Sequence, residues 1–225
     1  MSSTGPKKIV IFGTRETAEV VHFYLEHDSD YEAVAFTVDG EYLEEDTFQG
    51  LPVVPFEEIS QSHPADDFGM FVAMTYQKVN QARAQKCGEA ADKGYQLISY
   101  VSSKAYAWPG LSIGRNTFIM EGNTLQPFTR IGDHVLLWSG NHIGHHSTIE
   151  DNVYIASQAI ISGRVRVGEF SFIGVNATIR DGVTIGKSCV IGAGALVLAD
   201  TEDFQVFPAV GTEPSRVPSN RLRRI

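Results

Sequence analysis

From Ile113 to Val197 an aliphatic residue falls on every sixth position without a break. The series runs Ile113, Ile119, Leu125, Ile131, Leu137, Ile143, Ile149, Ile155, Ile161, Val167, Ile173, Ile179, Ile185, Ile191 and Val197. Glycine often follows the anchor, as at Gly114, Gly132, Gly144, Gly168, Gly174, Gly186 and Gly192. Four positions after the anchor the residue is usually small or β-branched, as at Thr117, Ser147, Ala159, Ala177 and Cys189. A period of six is neither the 3.6 of a helix nor the simple alternation of one strand, and it marks a repeat architecture. Six residues rising about 3.3 Å each make a flat face of roughly 20 Å. Three such faces close a triangular coil, so the pattern predicts a parallel β-helix of about five coils. Each anchor points inward and stacks on the anchor of the next coil, and the small residue fills the corner. Backbone bonds run from coil to coil, so no hexad is stable alone. No hexad is interrupted, so no protruding loop is expected between Ile113 and Val197.

The first hundred residues follow other periods. Lys7–Gly13 is a short apolar run ending in glycine, which reads as a buried parallel strand. Ala18, Val21 and Leu25 then recur at helical spacing with Glu16, Glu19 and Glu26 between them, and Thr14 is placed to cap that helix. Tyr31–Asp39, Leu51–Pro55, Met70–Thr75 and Gln96–Val101 read as strands, and Gln77–Lys93 as a helix. This succession predicts a small α/β unit with a parallel sheet. The chain therefore divides into residues 1–104 (α/β), 105–200 (β-helix) and a tail, 201–225.

Ligands of such sheets sit beyond the carboxyl ends of the strands. Those ends carry Gly13, Thr14 and Arg15, then Asp39, then Thr75. A glycine before a helix lets backbone approach a phosphate, and an acid after the second strand can accept hydrogen bonds from a ribose or a base. The full G-x-G-x-x-G is absent, which argues against a dinucleotide redox cofactor. A plain tight turn at Gly13 and a loop acid at Asp39 remain the competing reading.

Composition narrows the classes. The 225 residues are 43% hydrophobic, with a mean hydropathy of −0.09, enough to bury a core. No apolar run approaches the eighteen or so residues of a membrane-spanning helix, and the first residues lack the apolar segment of a secretory signal. Two distant cysteines, Cys87 and Cys189, argue against a disulfide framework and for a reducing, cytoplasmic setting. A net charge of −9 disfavours nucleic acid and anionic membranes. The one basic cluster is the tail, with Arg216, Arg221, Arg223 and Arg224.

Four of the seven histidines, His134, His142, His145 and His146, lie within thirteen residues. His145 and His146 hold the third and fourth places of their hexad, near a corner with side chains directed outward. Acyl transfer to an amine requires removal of a proton as nitrogen attacks. A histidine, with a reference pKa of about 6.5, suits that task near neutral pH.

The unbroken hexad of the form Ile-Gly-x-x-Ala-x resembles the left-handed β-helix acyltransferases. Ile191-Gly192-Ala193-Gly194-Ala195-Leu196-Val197, followed by Val210-Gly211-Thr212-Glu213-Pro214-Ser215-Arg216, is similar to their closing segment. With the α/β unit that starts at Ile9, the chain resembles the branch of sugar O- and N-acetyltransferases of bacterial glycan synthesis, such as O-antigen assembly. The resemblance implies a fold, an α/β nucleotide-sugar domain followed by a left-handed β-helix. It implies acetyl-CoA as co-substrate, no metal, and a homotrimer with active sites between subunits. The implied acceptor is a nucleotide-linked amino sugar held by Gly13, Thr14, Arg15, Asp39 and Thr75.

The family's Gly-His-(Asp or Glu)-x-x-Ile falls on Gly144-His145-His146-Ser147-Thr148-Ile149. His145 is then the general base, and the catalytic place after it, where the pattern has an acidic residue that would orient the imidazole, is His146. This departure leaves open what orients His145, with Asn141, Glu150 and Asp151 near in sequence. By position the coenzyme groove would use Gly163, Gly174, Val175, Gly192 and Ala193, with Lys187 and the tail arginines toward its phosphates. Tyr154 falls where relatives often carry a second histidine, or is an exposed stacking residue. Ser139 and Ser147 are near, but nothing marks either as a nucleophile. O-acetylation of a sugar is the close alternative. A zinc hydratase on the same prism, which needs three converging imidazoles, and a non-enzymatic scaffold are more distant.

Overall fold

The computed structural model describes residues 5–221, so Arg223 and Arg224 of the basic tail lie outside the described residues. The α/β unit contains β1 (Lys8–Phe12), α1 (Glu16–Asp28), β2 (Glu32–Val38), β3 (Thr47–Phe48), β4 (Leu51–Pro55), α2 (Ile59–Ser62), β5 (Gly69–Val72), α3 (Gln81–Asp92) and β6 (Gln96–Leu97). The sheet order is β3-β4-β2-β1-β5-β6, parallel throughout except for the β3–β4 hairpin. Ile9, Val10 and Ile11 are fully buried because both faces of β1 are covered. Ile9 and Ile11 pack with Ala18, Val21 and Leu25 of α1, and Val10 packs with Ile59 of α2 and Cys87 of α3.

Several sequence expectations shift here. β5 ends at Val72, three residues before Thr75. α3 begins at Gln81 rather than Gln77, because Lys78, Val79 and Asn80 all take left-handed backbone angles. Asn80 is buried and donates to the carbonyls of Phe170 and Ser171 at 3.2 and 3.3 Å, a tertiary tie that outweighs helical composition. Thr14 is not the cap of α1. The N-cap residue is Arg15, and no side chain caps the helix.

The run Gln96–Val101 is two strands, not one. Tyr100–Val101 (β7) leaves the sheet and opens the prism, followed by β8 (Tyr106–Ala107) and β9 (Ser112–Ile113). Val101 and Ala107 hold the two anchor places before Ile113, so the proposed boundary at 104/105 falls inside the first coil. At the far end Val206–Phe207 pairs with Val190–Ile191. The three faces carry seven, six and five strands, one coil more than the repeat predicted.

The anchors form the prism core. Ile119, Leu137, Ile155, Ile173 and Ile191 stack on one face without exposure. At the corners the fourth hexad residue is left-handed, with φ of 49° at Asn116, 61° at His146 and 57° at Arg164. Asparagine and glycine enter that region readily, and other residues do so at a cost the coil-to-coil bonds offset. Asn141 breaks the small-residue rule because its amide donates to Trp138 O at 2.6 Å and accepts from Ala159 N at 2.8 Å.

The α/β unit packs on one side of the prism, here called the docking face. Phe118, Met120, Leu136 and Tyr154 of that face share a core with α1. Arg83 of α3 is wholly buried and donates to His134 O at 2.7 Å, and burial pulls its guanidinium down to about 10. His134 is buried beside it, and burial lowers its imidazole to about 4.

Asp28, ending α1, accepts from Tyr100 Oη at 2.5 Å and from Ser102 Oγ and Ser103 N at 2.9 Å. Burial pushes this carboxyl up, but hydrogen bonds from Ser103, Tyr100 and Ser102 outweigh it and hold it at about 2. Because the folded value lies below the unfolded one, about 3.9, the clamp stabilises above pH 4 and fades as pH falls toward 2. Asp28→Asn is therefore expected to lower Tm at pH 7. Thermal melts of both proteins should converge between pH 4 and pH 2, and a constant gap across that window would refute the assignment.

Candidate active site

His145 and His146 sit on the corner opposite the docking face, between His142–Ile143 and Thr148–Ile149. Both are exposed, as their hexad places predicted. The backbone around them is fixed by neighbouring coils. His145 N donates to Gln126 Oε1 at 2.8 Å, and His145 O accepts from Arg164 N at 2.8 Å. The imidazole of His145 lies over Gly163, where an added Cβ would stand 2.8 Å from both Cε1 and Nε2. Gly144 faces the same constraint from backbone, since its Cβ would meet Gly163 N at 2.5 Å. Only glycine allows that approach of two coils.

The position beside His145 is filled as follows. His146 Nδ1 lies 3.2 Å from His145 Nδ1, and the His146 ring packs on Phe128 with centroids 4.6 Å apart. The other orienting candidates are engaged elsewhere. Asn141 bonds the corner backbone, Glu150 pairs with Arg166, and Asp151 accepts from Asp133 N at 2.8 Å. Ser147 is buried, with its hydroxyl donated to Ser162 O at 2.9 Å, which removes it as a nucleophile.

The groove residues divide among corners. Gly163 shares the corner of His145, Gly174, Val175, Gly192 and Ala193 line a second, and Lys187 stands on the third, paired with Glu169 at 3.3 Å. One chain does not bring them together. Tyr154 is neither exposed nor beside His145. It is 5% exposed on the docking face, stacked on Phe172 at 5.4 Å and edge-on to Tyr76 at 5.1 Å. Its hexad place directs it outward into the other domain, so burial there replaces the expected groove position.

At the sheet ends, Gly13 has φ +120°, with its N–H donated to Thr37 O at 2.8 Å, so that amide is not free for a phosphate. Thr14 and Thr75 are half-buried and Arg15 is exposed. Asp39 Oδ1 accepts from Lys86 Nζ at 2.7 Å, and Lys86 lies over the rings of Phe12 and Phe56. This buried lysine, which reaches from α3 to the end of the second strand, was not singled out in the sequence. Its place in the polar spacing of α3 gave no sign of it. Among the described residues no three His, Cys, Asp or Glu side chains converge on a metal position, and no helix is long and apolar enough to cross a membrane.

Residues 128–163 and 164–199 match the family described as bacterial transferase hexapeptide (six repeats). The acetyltransferase domain of PglB from Neisseria gonorrhoeae FA1090 aligns at 26% identity over 90% of this chain and 97% of its own, with a TM-score of 0.80. PerB from Caulobacter crescentus, solved with CoA and GDP-perosamine, aligns at 25% over 92% and 95%, with a TM-score of 0.79. WeeI from Acinetobacter baumannii AYE shares the fold at 22% identity over 87% and 93%, with a TM-score of 0.74. No curated protein sequence matches the chain. The chain thus carries the hexapeptide transferase repeat over residues 128–199 and shares the fold of the PglB acetyltransferase domain over 90% of its length.

Gly163→Ala is expected to displace the His145 ring and cut kcat about a hundredfold, the cost of roughly 1 Å of misplacement. Tm should change little, since the clash is with the ends of two side chains, His145 and Asp181. Steady-state kinetics beside a thermal melt check this, and an unchanged kcat would place the working ring elsewhere.

Proposed function

We propose that the chain is an N-acetyltransferase that moves acetyl from acetyl-CoA to the amine of a nucleotide-linked amino sugar. The observation that carries this reading is the exposed imidazole of His145, seated on Gly163 at a corner of the prism. PerB was solved with CoA and GDP-perosamine, and the PglB domain with acetyl coenzyme A, which supports the same pair of substrates here. The amine nitrogen attacks the thioester carbonyl, a C–N bond forms and the C–S bond breaks. The amine proton passes to His145 Nε2 and then to the coenzyme sulfur. No acyl-enzyme is needed.

The acceptor's nucleotide is assigned to the sheet ends at Gly13, Thr14, Arg15, Asp39 and Thr75. Tyr76, next to Thr75, packs edge-on against the docking face, whereas His145 is on the opposite corner of the same prism. An acceptor bound by one chain therefore meets the base of a neighbouring chain, which favours a homotrimer with sites between subunits. The open face beside that corner exposes Tyr106, Trp108, Ile160, Leu196 and Leu198, an apolar surface suited to a second copy. A cytoplasmic location and a role in bacterial glycan assembly belong to the same proposal.

The test is CoA release from acetyl-CoA with a panel of nucleotide-linked amino sugars and their hydroxyl counterparts. Acetylation of an amine supports the reading. Release with hydroxyl sugars alone makes the chain an O-acetyltransferase, and no release with either class refutes both.

A further inference from the structure

We infer that His146 is the positioning residue for His145 and that Phe128 holds it there. The inference rests on His145 being the base. Two imidazole nitrogens 3.2 Å apart must share one proton, since two N–H groups repel and two lone pairs make no bond. Two arrangements satisfy that condition. If His146 donates, His145 carries its other proton on Nε2 and cannot accept one there. If His145 donates, Nε2 is free beside Gly163, and the same Nδ1–H···Nδ1 bond survives when Nε2 takes the amine proton. The second arrangement serves both the resting and the protonated ring, so no tautomer change interrupts the step.

The support for His146 is built into the corner. Its backbone is left-handed with φ 61°, and its N–H donates to Pro127 O at 3.2 Å. Its ring rests on Phe128, which is 73% exposed and occupies the same corner position one coil earlier. Phe128 is itself left-handed, with φ 68°.

The test is a series at position 146 that separates the acceptor from the packing. His146→Asn keeps an acceptor atom and suits the left-handed corner. His146→Phe keeps the ring stack and removes the acceptor, and His146→Ala removes both. Phe and Ala are expected to lower kcat about ten- to a hundredfold, as loss of a histidine's outer partner does, with KM for acetyl-CoA unchanged. Asn should restore most of kcat. The tautomer is read independently by 15N NMR of histidine-labelled full-length protein. Wild type should show His145 protonated at Nδ1, and His146→Phe should lose that preference.

Equal kcat for wild type and His146→Phe, or a wild-type His145 protonated at Nε2, overturns the inference. If wild type acetylates no sugar, the functional reading fails while the NMR result still decides the imidazole pair.

Discussion

His145→Asn is expected to lower kcat about 100- to 10,000-fold, the range typical of a lost general base. Asparagine is polar and smaller than imidazole, so it fits above Gly163, but it cannot take a proton from an attacking amine. The side chain is exposed and its backbone bonds, to Gln126 Oε1 and from Arg164 N, do not depend on the ring. Tm should therefore hold. KM for acetyl-CoA should also hold, since an interaction made only in the transition state appears in kcat. Steady-state kinetics beside a thermal melt give the answer. A variant that keeps wild-type kcat would show that another group removes the proton, and His142, one strand before on the open face, would be the next to replace.

The corner place of His145 was legible because a repeat of six fixes which way each side chain points. Ile143 sets the register, and His145 two places on must then be at a corner and outside. What the repeat did not show was the backbone of that corner. Its signal was present, since Asn116, Gly122, Gly140, Asn152, Asn176, Gly182 and Gly194 all hold the fourth hexad place and all are left-handed. Asparagine and glycine are the residues that enter that region at least cost, and with Phe128, His134, His146 and Arg164 in the same column the pattern was diluted.

The start of the prism was hidden for another reason. Tyr100 and Val101 read as a continuation of Gln96, because composition does not reveal which neighbour a strand bonds to. β6 pairs with β5, while Tyr100 pairs with Phe118. The domain junction was illegible in the same way. Asp28 meets Tyr100 across 72 residues and Arg83 meets His134 across 51, and neither spacing leaves a trace in local sequence. Tyr154 was misplaced because its outward hexad place is also the docking side.

The register itself makes a sharp prediction from two adjacent, identical residues. Ile160 and Ile161 form one strand, paired with His142 and Ile143 of the previous coil. Ile161 points into the prism and is fully buried, whereas Ile160 points out of the open face and is 41% exposed. Ile161→Ala is expected to cost about 2–5 kcal/mol, because it removes a transfer contribution and leaves a cavity between coils that cannot close. That is a large share of the 5–15 kcal/mol or so that a folded domain typically has. The damage should also spread, since each coil is held chiefly by its two neighbours.

Ile160→Ala, on the same strand with the same atoms removed, should cost about 0.5 kcal/mol or less within one chain. If copies of the chain associate through the open face, the loss at Ile160 will appear instead as a lower Tm at working concentrations and a weaker dependence of Tm on protein concentration. Denaturant unfolding and melts at several concentrations separate the two effects. Equal destabilisation by the two substitutions at every concentration would mean that the hexad register does not set the inside of this prism.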